Sequence, residues 1–271
     1  MSYGGSYLWT RHHIVTLFRG WTGRGYYVWS PFVTKLELRL RLSNLPYQTA
    51  GGSPRTAPTG KIPYVEVTEG DQKAAVGDSG LIAKHFEERG LIDDLNATLT
   101  PTSKAQDLAM RALMEDRLYF FSMRERWMDM DNFYVQRDKA LEAFSYPFRV
   151  LIGQLIYRSH TQTLHGQGTG RFTAEEARKF REEIWSTLNG LLEESRRKKA
   201  QLHDGNDDDS CFWCLGGERP TECDTTVFGF INSALVATSG PESARFVRNL
   251  PAVMDYAGRI HNAYFPDYER W

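Results

Sequence analysis

The spacing of apolar residues changes once along this chain, at Pro101, and that change limits the possible folds more than any composition figure. Before it, short β-branched and aromatic runs are separated by clusters of glycine and proline. After it, apolar residues recur at three and four positions, as on one face of a helix. Ile14-Val15-Thr16-Leu17-Phe18, ended by Gly20, reads as a buried strand. Ser30 is a good N-cap and Pro31 suits the first helical position, so a helix is expected from there to about Asn44. Leu36, Leu38, Leu40 and Leu42 also alternate with charged residues as a half-buried strand would, and the Ser-Pro start signal decides for the helix. Leu45 to Thr49 follows as a brief strand, then a glycine- and proline-rich loop to Gly60. Ile62 to Val67 is the clearest strand, Lys73 to Val76 is its hairpin partner across Gly70-Asp71, and Asp78-Ser79 caps a helix through Phe86 to Gly90. The order is β-α-β, loop, β-β-α.

Met110, Leu113, Met114, Leu118 and Phe121 mark a helix running to about Met128, and a second spans about Lys139 to Tyr157 with an interruption near Pro147. Ser159 to Thr173 reads as a polar stretch between helices, with His160 and His165 solvated or satisfied by backbone. Phe180, Ile184, Leu188 and Leu191 mark a third helix. Thr221-Glu222-Cys223-Asp224 has the spacing of a capping box ahead of Val227, Phe228, Ile231 and Leu235, and Pro241 opens a last helical region through Ile260. The expected division is an α/β unit over residues 1–95 and an all-helical unit over 101–271.

With 41% hydrophobic residues in 271, the chain can bury a proper core. Thirty-three basic residues against 34 acidic ones leave a formal net charge of −1, which gives no field to recruit nucleic acid or acidic lipid. No apolar run is long enough to span a bilayer and Met1 to Thr10 lacks the pattern of a secretory leader, so a cytoplasmic protein is expected. Cys211, Cys214 and Cys223 form an odd set without a second Cys pair or nearby histidines, so no metal site is expected.

The chemistry is expected at the helix start. A helix beginning at Ser30 leaves unpaired N–H groups and a partial positive charge there, and the serine hydroxyl can accept from its own helix and still donate to a bound anion such as a thiolate. Trp21 to Trp29, glycine-punctuated and aromatic, either walls a pocket or packs on the following helices.

Taken together, Ser30-Pro31-Phe32, Ile62-Pro63 and Asp78-Ser79, in that order and ahead of a helical half with a capping box, resemble the glutathione transferase family over nearly the whole chain. The resemblance implies a thioredoxin-like domain followed by an all-α domain, with glutathione as co-substrate. It makes Ser30 the first-turn serine that activates the thiol, with Tyr26 or Tyr27 as rival hydroxyl donors. Pro63 becomes a cis-proline, and Ile62 presents its main chain to the cysteinyl unit. Lys61 meets the glycine carboxylate, and Asp78 and Ser79 hold the γ-glutamyl end. Tyr26, Tyr27, Trp29 and Phe120 would contact a hydrophobic electrophilic substrate. Val33 stands where redox relatives carry a second cysteine, which argues against disulfide chemistry. The implied reactions are conjugation, or cis–trans isomerisation by addition and elimination in specialised metabolism, carried out by a homodimer. Within the family, Leu45-Pro46-Tyr47, Gly166 to Arg171 and Thr226 to Gly229 look like the branch of metaxins and failed-axon-connections proteins, so a non-catalytic adaptor or import component is the alternative.

Overall fold

The computed structural model describes residues 13–202 and 209–271. Its first half runs β1 (His13–Phe18), α1 (Pro31–Leu42), β2 (Gln48–Ala50), β3 (Tyr64–Glu69), β4 (Gln72–Gly77) and α2 (Ser79–Glu88). The strands form one mixed sheet in the order β2-β1-β3-β4, with β1 parallel to β2 and antiparallel to β3, and β3 antiparallel to β4. This is the thioredoxin-like arrangement. Val15 and Leu17 of β1, Val65 and Val67 of β3, Leu36 and Leu40 of α1, and Ile82 and Phe86 of α2 make one core between sheet and helices. The second strand begins three residues later than its sequence suggests, because Leu45 and Tyr47 pack against that core while Gln48 to Ala50 take up the ladder with β1.

From Pro101 onward the described residues are helical: α3 (Pro101–Ala112), a π-helical stretch (Leu113–Leu118), α4 (Tyr119–Met128), α5 (Met130–Ala140), α6 (Tyr146–Gln167), α7 (Ala174–Leu202), α8 (Glu222–Val236), α9 (Pro241–Arg248) and α10 (Pro251–Tyr264). One expectation holds here and one fails. The helix expected from Lys139 is broken just ahead of Pro147: α5 ends at Ala140, residues 141–145 are not helical, and α6 starts at Tyr146 with Pro147 in its first turn, where the missing N–H costs nothing. His160 and His165 lie on α6 and not between helices, and His160 packs on Trp127 with ring centroids 4.5 Å apart. The last helical region is two helices, divided at Asn249-Leu250.

The alternating leucines of α1 have a simple cause. Leu36 and Leu40 face the sheet, whereas Leu38 and Leu42, on the opposite side of the helix, enter the core built around α8. A helix buried on two faces produces an alternation that imitates a strand. The charged residues left between the two faces are paired: Lys35 Nζ meets Glu115 Oε1 at 2.6 Å, and Arg39 joins Glu222 at 2.5 Å and Glu87 at 2.9 Å. At its N-terminal end, α8 is fixed by the expected box. Asp224 accepts the N–H and hydroxyl of Thr221 at 2.7 and 2.9 Å, and also the Cys214 N–H at 2.6 Å and the Tyr256 hydroxyl at 2.8 Å.

Candidate functional site

Strand register brings the proposed site residues to one end of the sheet. Ala50, Phe18, Tyr64 and Gly77 are paired in a transverse row. Beyond this row, β1 continues toward Ser30, β3 is entered from Ile62-Pro63, and β4 leaves into Asp78-Ser79. Phe18 and Tyr64 stack at 4.3 Å within the row, and the Tyr64 hydroxyl bonds Thr56 Oγ1 at 2.8 Å, tying down the loop that carries Lys61.

Ser30 is the N-cap residue of α1 by its dihedral angles, and Pro31 follows at the first helical position. Its hydroxyl, expected to accept from its own helix, makes no such bond. The half-buried side chain is left with its donor and both acceptor sites uncommitted among the described residues, and the first-turn N–H groups have no side-chain cap.

The Ile62–Pro63 peptide is cis. Ile62 lies outside the β3 ladder and its main-chain N–H and C=O take part in no hydrogen bond among the described residues, while Pro63 O accepts from Asp78 N at 3.3 Å. Lys61 is exposed beside them and forms no ion pair among the described residues. Asp78 caps α2 through Oδ1, which accepts from Gly80 N at 2.9 Å and Leu81 N at 3.2 Å, and it adopts a left-handed φ of 74°. That use leaves Oδ2, and it skips Ser79. Ser79 is 4% exposed, and neither its N–H nor its hydroxyl has a partner among the described residues. An N–H and a hydroxyl converging at a helix start suit a carboxylate.

The aromatic loop separates into different roles. Tyr27 is 5% exposed and packs against Phe228, Phe265, Tyr268 and Trp271, and its hydroxyl bonds His261 Nδ1 at 2.8 Å. Burial, more than the neighbouring Glu37 carboxylate, drives its phenol well above the ordinary range. Tyr27 thus packs on the helical half. The Tyr26 hydroxyl donates back to the Thr22 carbonyl within its own loop, and its carbonyl accepts from Arg19 Nη2 at 2.5 Å. Both tyrosine hydroxyls are engaged away from Ser30. Trp29 is half-buried against Trp21, ring centroids 5.4 Å apart. Phe120 packs edge-on to Tyr119 at 5.3 Å; Tyr119 in turn meets Phe32, which meets Phe230. This aromatic run connects the start of α1 to α4. The groove of about 440 Å³ between α3 and α7, lined by Met110, Leu113 and Leu191 among others, contains none of these residues.

Sequence reasoning missed a second layer. Arg19 is buried, with Nη1 on the Gly23 carbonyl at 3.2 Å and Nε 3.2 Å from Glu37 Oε1, so it shapes the loop leading to Ser30. The Trp29 carbonyl is held from the helical half by Ser233 and Arg126. An arginine on an aromatic helix and a serine inside an apolar one single out the two residues but not their pairing.

Cys211, Cys214 and Cys223 are free thiols, and burial raises Cys211 to about 11, which disfavours its thiolate. Cys214, Cys223 and Asp224 lie close enough to share an ion, but both Asp224 oxygens are already engaged as described.

Residues 31–132 match the family model described as "Glutathione S-transferase N-terminal domain". Among curated proteins, the isoprene-epoxide–glutathione S-transferase of Rhodococcus sp. (strain AD45) is 23% identical over 241 residues, covering 87% of this chain and 92% of the relative. Solved structures with a similar fold include FzlA from C. crescentus (TM-score 0.56, 14% identity, 95% and 93% of the two chains) and the β-etherase LigF from Sphingobium sp. strain SYK-6 (0.54, 13%, 91% and 94%). A glutathione transferase family member from Pseudomonas fluorescens pf-5, with two glutathione bound, is similar at a TM-score of 0.53 (15%, 92% and 88%).

Proposed function

This chain belongs to the glutathione S-transferase superfamily, and from that premise we propose that it is an enzyme activating the glutathione thiol for attack on a hydrophobic electrophile. The observation that carries the reading is the uncommitted Ser30 hydroxyl at an uncapped helix start, on the same end of the sheet as Ile62-Pro63 and Ser79.

These residues fit the tripeptide. Ser79 N–H and hydroxyl would take the γ-glutamyl carboxylate, with Asp78 Oδ2 free for its ammonium. The open main chain of Ile62 suits the cysteinyl unit, and Lys61 suits the glycine carboxylate. When bound, glutathione supplies a nucleophilic sulfur. Ser30 would donate a hydrogen bond to that sulfur, and the N-terminal end of α1 adds partial positive charge, so both favour the ionised form of a thiol whose ordinary pKa is about 8.5. Trp29 and the Phe32–Tyr119–Phe120 run offer the electrophile an apolar surface.

Conjugation and addition–elimination isomerisation share their first bond-forming step. They differ in whether the adduct is released or held until glutathione is expelled. The curated relative is named for an epoxide substrate, which supports conjugation. The aromatic surface of Trp29, Phe32, Tyr119 and Phe120 suits an extended conjugated alkene, so isomerisation, as in specialised metabolism, is the variant reading. The adaptor alternative draws no support from a relative named as an enzyme. The functional division is residues 1–95 for glutathione and 101–271 for substrate, in a cytoplasmic homodimer. No helix among the described residues is long and apolar enough to cross a membrane.

Retention on immobilised glutathione with elution by free glutathione tests the binding half. Incubation with a conjugated enone and catalytic glutathione, following thiol loss and alkene geometry together, tests the reaction: stoichiometric thiol loss excludes isomerisation, and no binding at millimolar glutathione removes the function.

A further inference from the structure

We propose that Arg126, assisted by Ser233, is a positioning residue for Ser30: it fixes the main chain on which the serine sits and sets a positive charge beside the start of α1. The proposal rests on the glutathione reading above.

Ser233 Oγ donates to the Trp29 carbonyl at 2.5 Å, and Arg126 Nη1 donates to the same oxygen at 3.3 Å. Arg126 Nη2 reaches Ser233 itself, at 2.9 Å to its carbonyl and 3.1 Å to its hydroxyl. The hydroxyl thus accepts from the arginine while donating to Trp29, and the three groups close a ring. Trp29 is one peptide before Ser30. One peptide after it, the Pro31 carbonyl lies against Gly229 of α8. The backbone on both sides of the serine is therefore held by α4 and α8, which belong to the other half of the chain. A hydroxyl that must meet a sulfur within a few tenths of an ångström needs such support.

The charge is available as well as close. Glu125, the carboxylate next in sequence, is taken up by the Ser243 N–H at 3.0 Å, the Ser243 hydroxyl and Arg181 at 3.4 Å; it forms no ion pair with Arg126 among the described residues, and its field offsets the arginine's charge only in part. The other titratable groups facing the guanidinium are Tyr119 on its own helix and Arg181 on α7, whose Nη2 also pairs with Glu242 of α9 at 2.9 Å. Arg126 is half-buried, and its Nε is shut off from solvent without a partner among the described residues. Desolvation holds its pKa below the ordinary arginine value, yet it remains cationic at neutral pH. A cation so enclosed is weakly screened, and it has the same sign as the helix end it adjoins. A thiol brought there passes its proton to water more readily.

The test is the ultraviolet absorbance of the thiolate of enzyme-bound glutathione across pH, with turnover of 1-chloro-2,4-dinitrobenzene measured in parallel. Arg126→Gln is expected to raise the thiol pKa by about one unit. It should lower kcat about tenfold at mildly acidic pH, the loss closing at alkaline pH, with KM for glutathione changed less than about twofold. Arg126→Lys, which keeps the charge and loses the fork, should restore most of the ionisation. Ser233→Ala should lower kcat several-fold at every pH without moving the thiol pKa. A merely structural arginine would lower thermal stability and leave the profile in place, so a wild-type pH profile in folded Arg126→Gln overturns the charge role. If that variant does not fold, Arg126→Lys and Ser233→Ala decide, and wild-type kcat in Ser233→Ala overturns the positioning role. Wild-type protein that shows no glutathione thiolate sinks both the glutathione reading and the charge role. Amide exchange at Phe32 and Val33, which needs no ligand, then reads positioning: faster exchange in Ser233→Ala supports it and unchanged exchange ends it.

Discussion

Gly229 of α8 lies so close to Pro31 at the start of α1 that a Cβ on it would collide with the Pro31 carbonyl oxygen and sit 2.9 Å from Lys35 N. The two halves of the chain meet backbone to backbone there. Gly229→Ala must push α1 away from α8, and overpacking of this kind costs about 1 to 3 kcal/mol. Urea unfolding should show that loss, together with weaker glutathione binding because Ser30 moves with α1. An unchanged midpoint would mean the helices separate freely.

Asp224→Ala should be more damaging than the removal of an ordinary helix cap. The carboxylate satisfies the buried Thr221 and Cys214 N–H groups and the Tyr256 hydroxyl, and stranding them costs about 3 to 5 kcal/mol in all. The melting temperature should fall by about 5 to 10 degrees, while the folded fraction keeps its glutathione affinity. Normal affinity with a normal melting curve would show that the box contributes nothing.

Acid should weaken the fold through His261. Burial, then the nearby Arg270, holds its pKa below the ordinary histidine value, with Asp267 opposing. The unfolded chain therefore takes up this proton first as pH falls, so the stability from neutral His261 is present above about pH 6.5 and lost as pH falls toward the depressed folded value. His160, depressed by burial, acts in the same direction. His261→Gln should flatten the dependence of melting temperature on pH between about 7 and 5. A slope equal to that of the wild type assigns the effect elsewhere.

Ser79→Ala deletes one hydroxyl and leaves the α2 cap intact, because Asp78 supplies the capping oxygen. Glutathione affinity should drop by about 1 to 2 kcal/mol, or roughly five- to thirtyfold, with little change in stability. Calorimetry returning the wild-type constant would remove Ser79 from the site.

Ser30→Ala is expected to lower turnover roughly ten- to a thousandfold while glutathione still binds, as for loss of a hydrogen bond made to developing charge. Full activity in this variant would exclude Ser30 as the donor.

The elements that local chemistry specifies were legible in the sequence: the Ser30-Pro31 start is marked by adjacent residues, and the Asp78 cap and the Thr221–Asp224 box are made by bonds spanning two or three positions. The α1 helix was legible only through its start signal, because burial on two faces disguised its period. The extent of α6 was misjudged for the opposite reason. His160 and His165 look polar enough for a loop, and the helix continues past Tyr157 because His160 packs on Trp127 and Leu164 is buried in the core with Met123 and Phe133. The Arg126–Ser233–Trp29 ring could not be read, since its partners stand 97 and 107 or more positions apart and nothing local marks them as neighbours.

Cys223 through Leu235 of α8 are buried without a break. On an ordinary helix a third or more of the positions face water and can change cheaply; here every side chain from the capping box to the Ser233 contact is fixed by a neighbour. A lineage altering its substrate therefore has little room to do so on α8, where any change alters stability and Ser30 placement together. The room lies on α6, whose Phe148, Leu151 and Leu155 are exposed. The sequence of α8 should be the slowest-drifting part of the helical half, and that of α6 among the fastest.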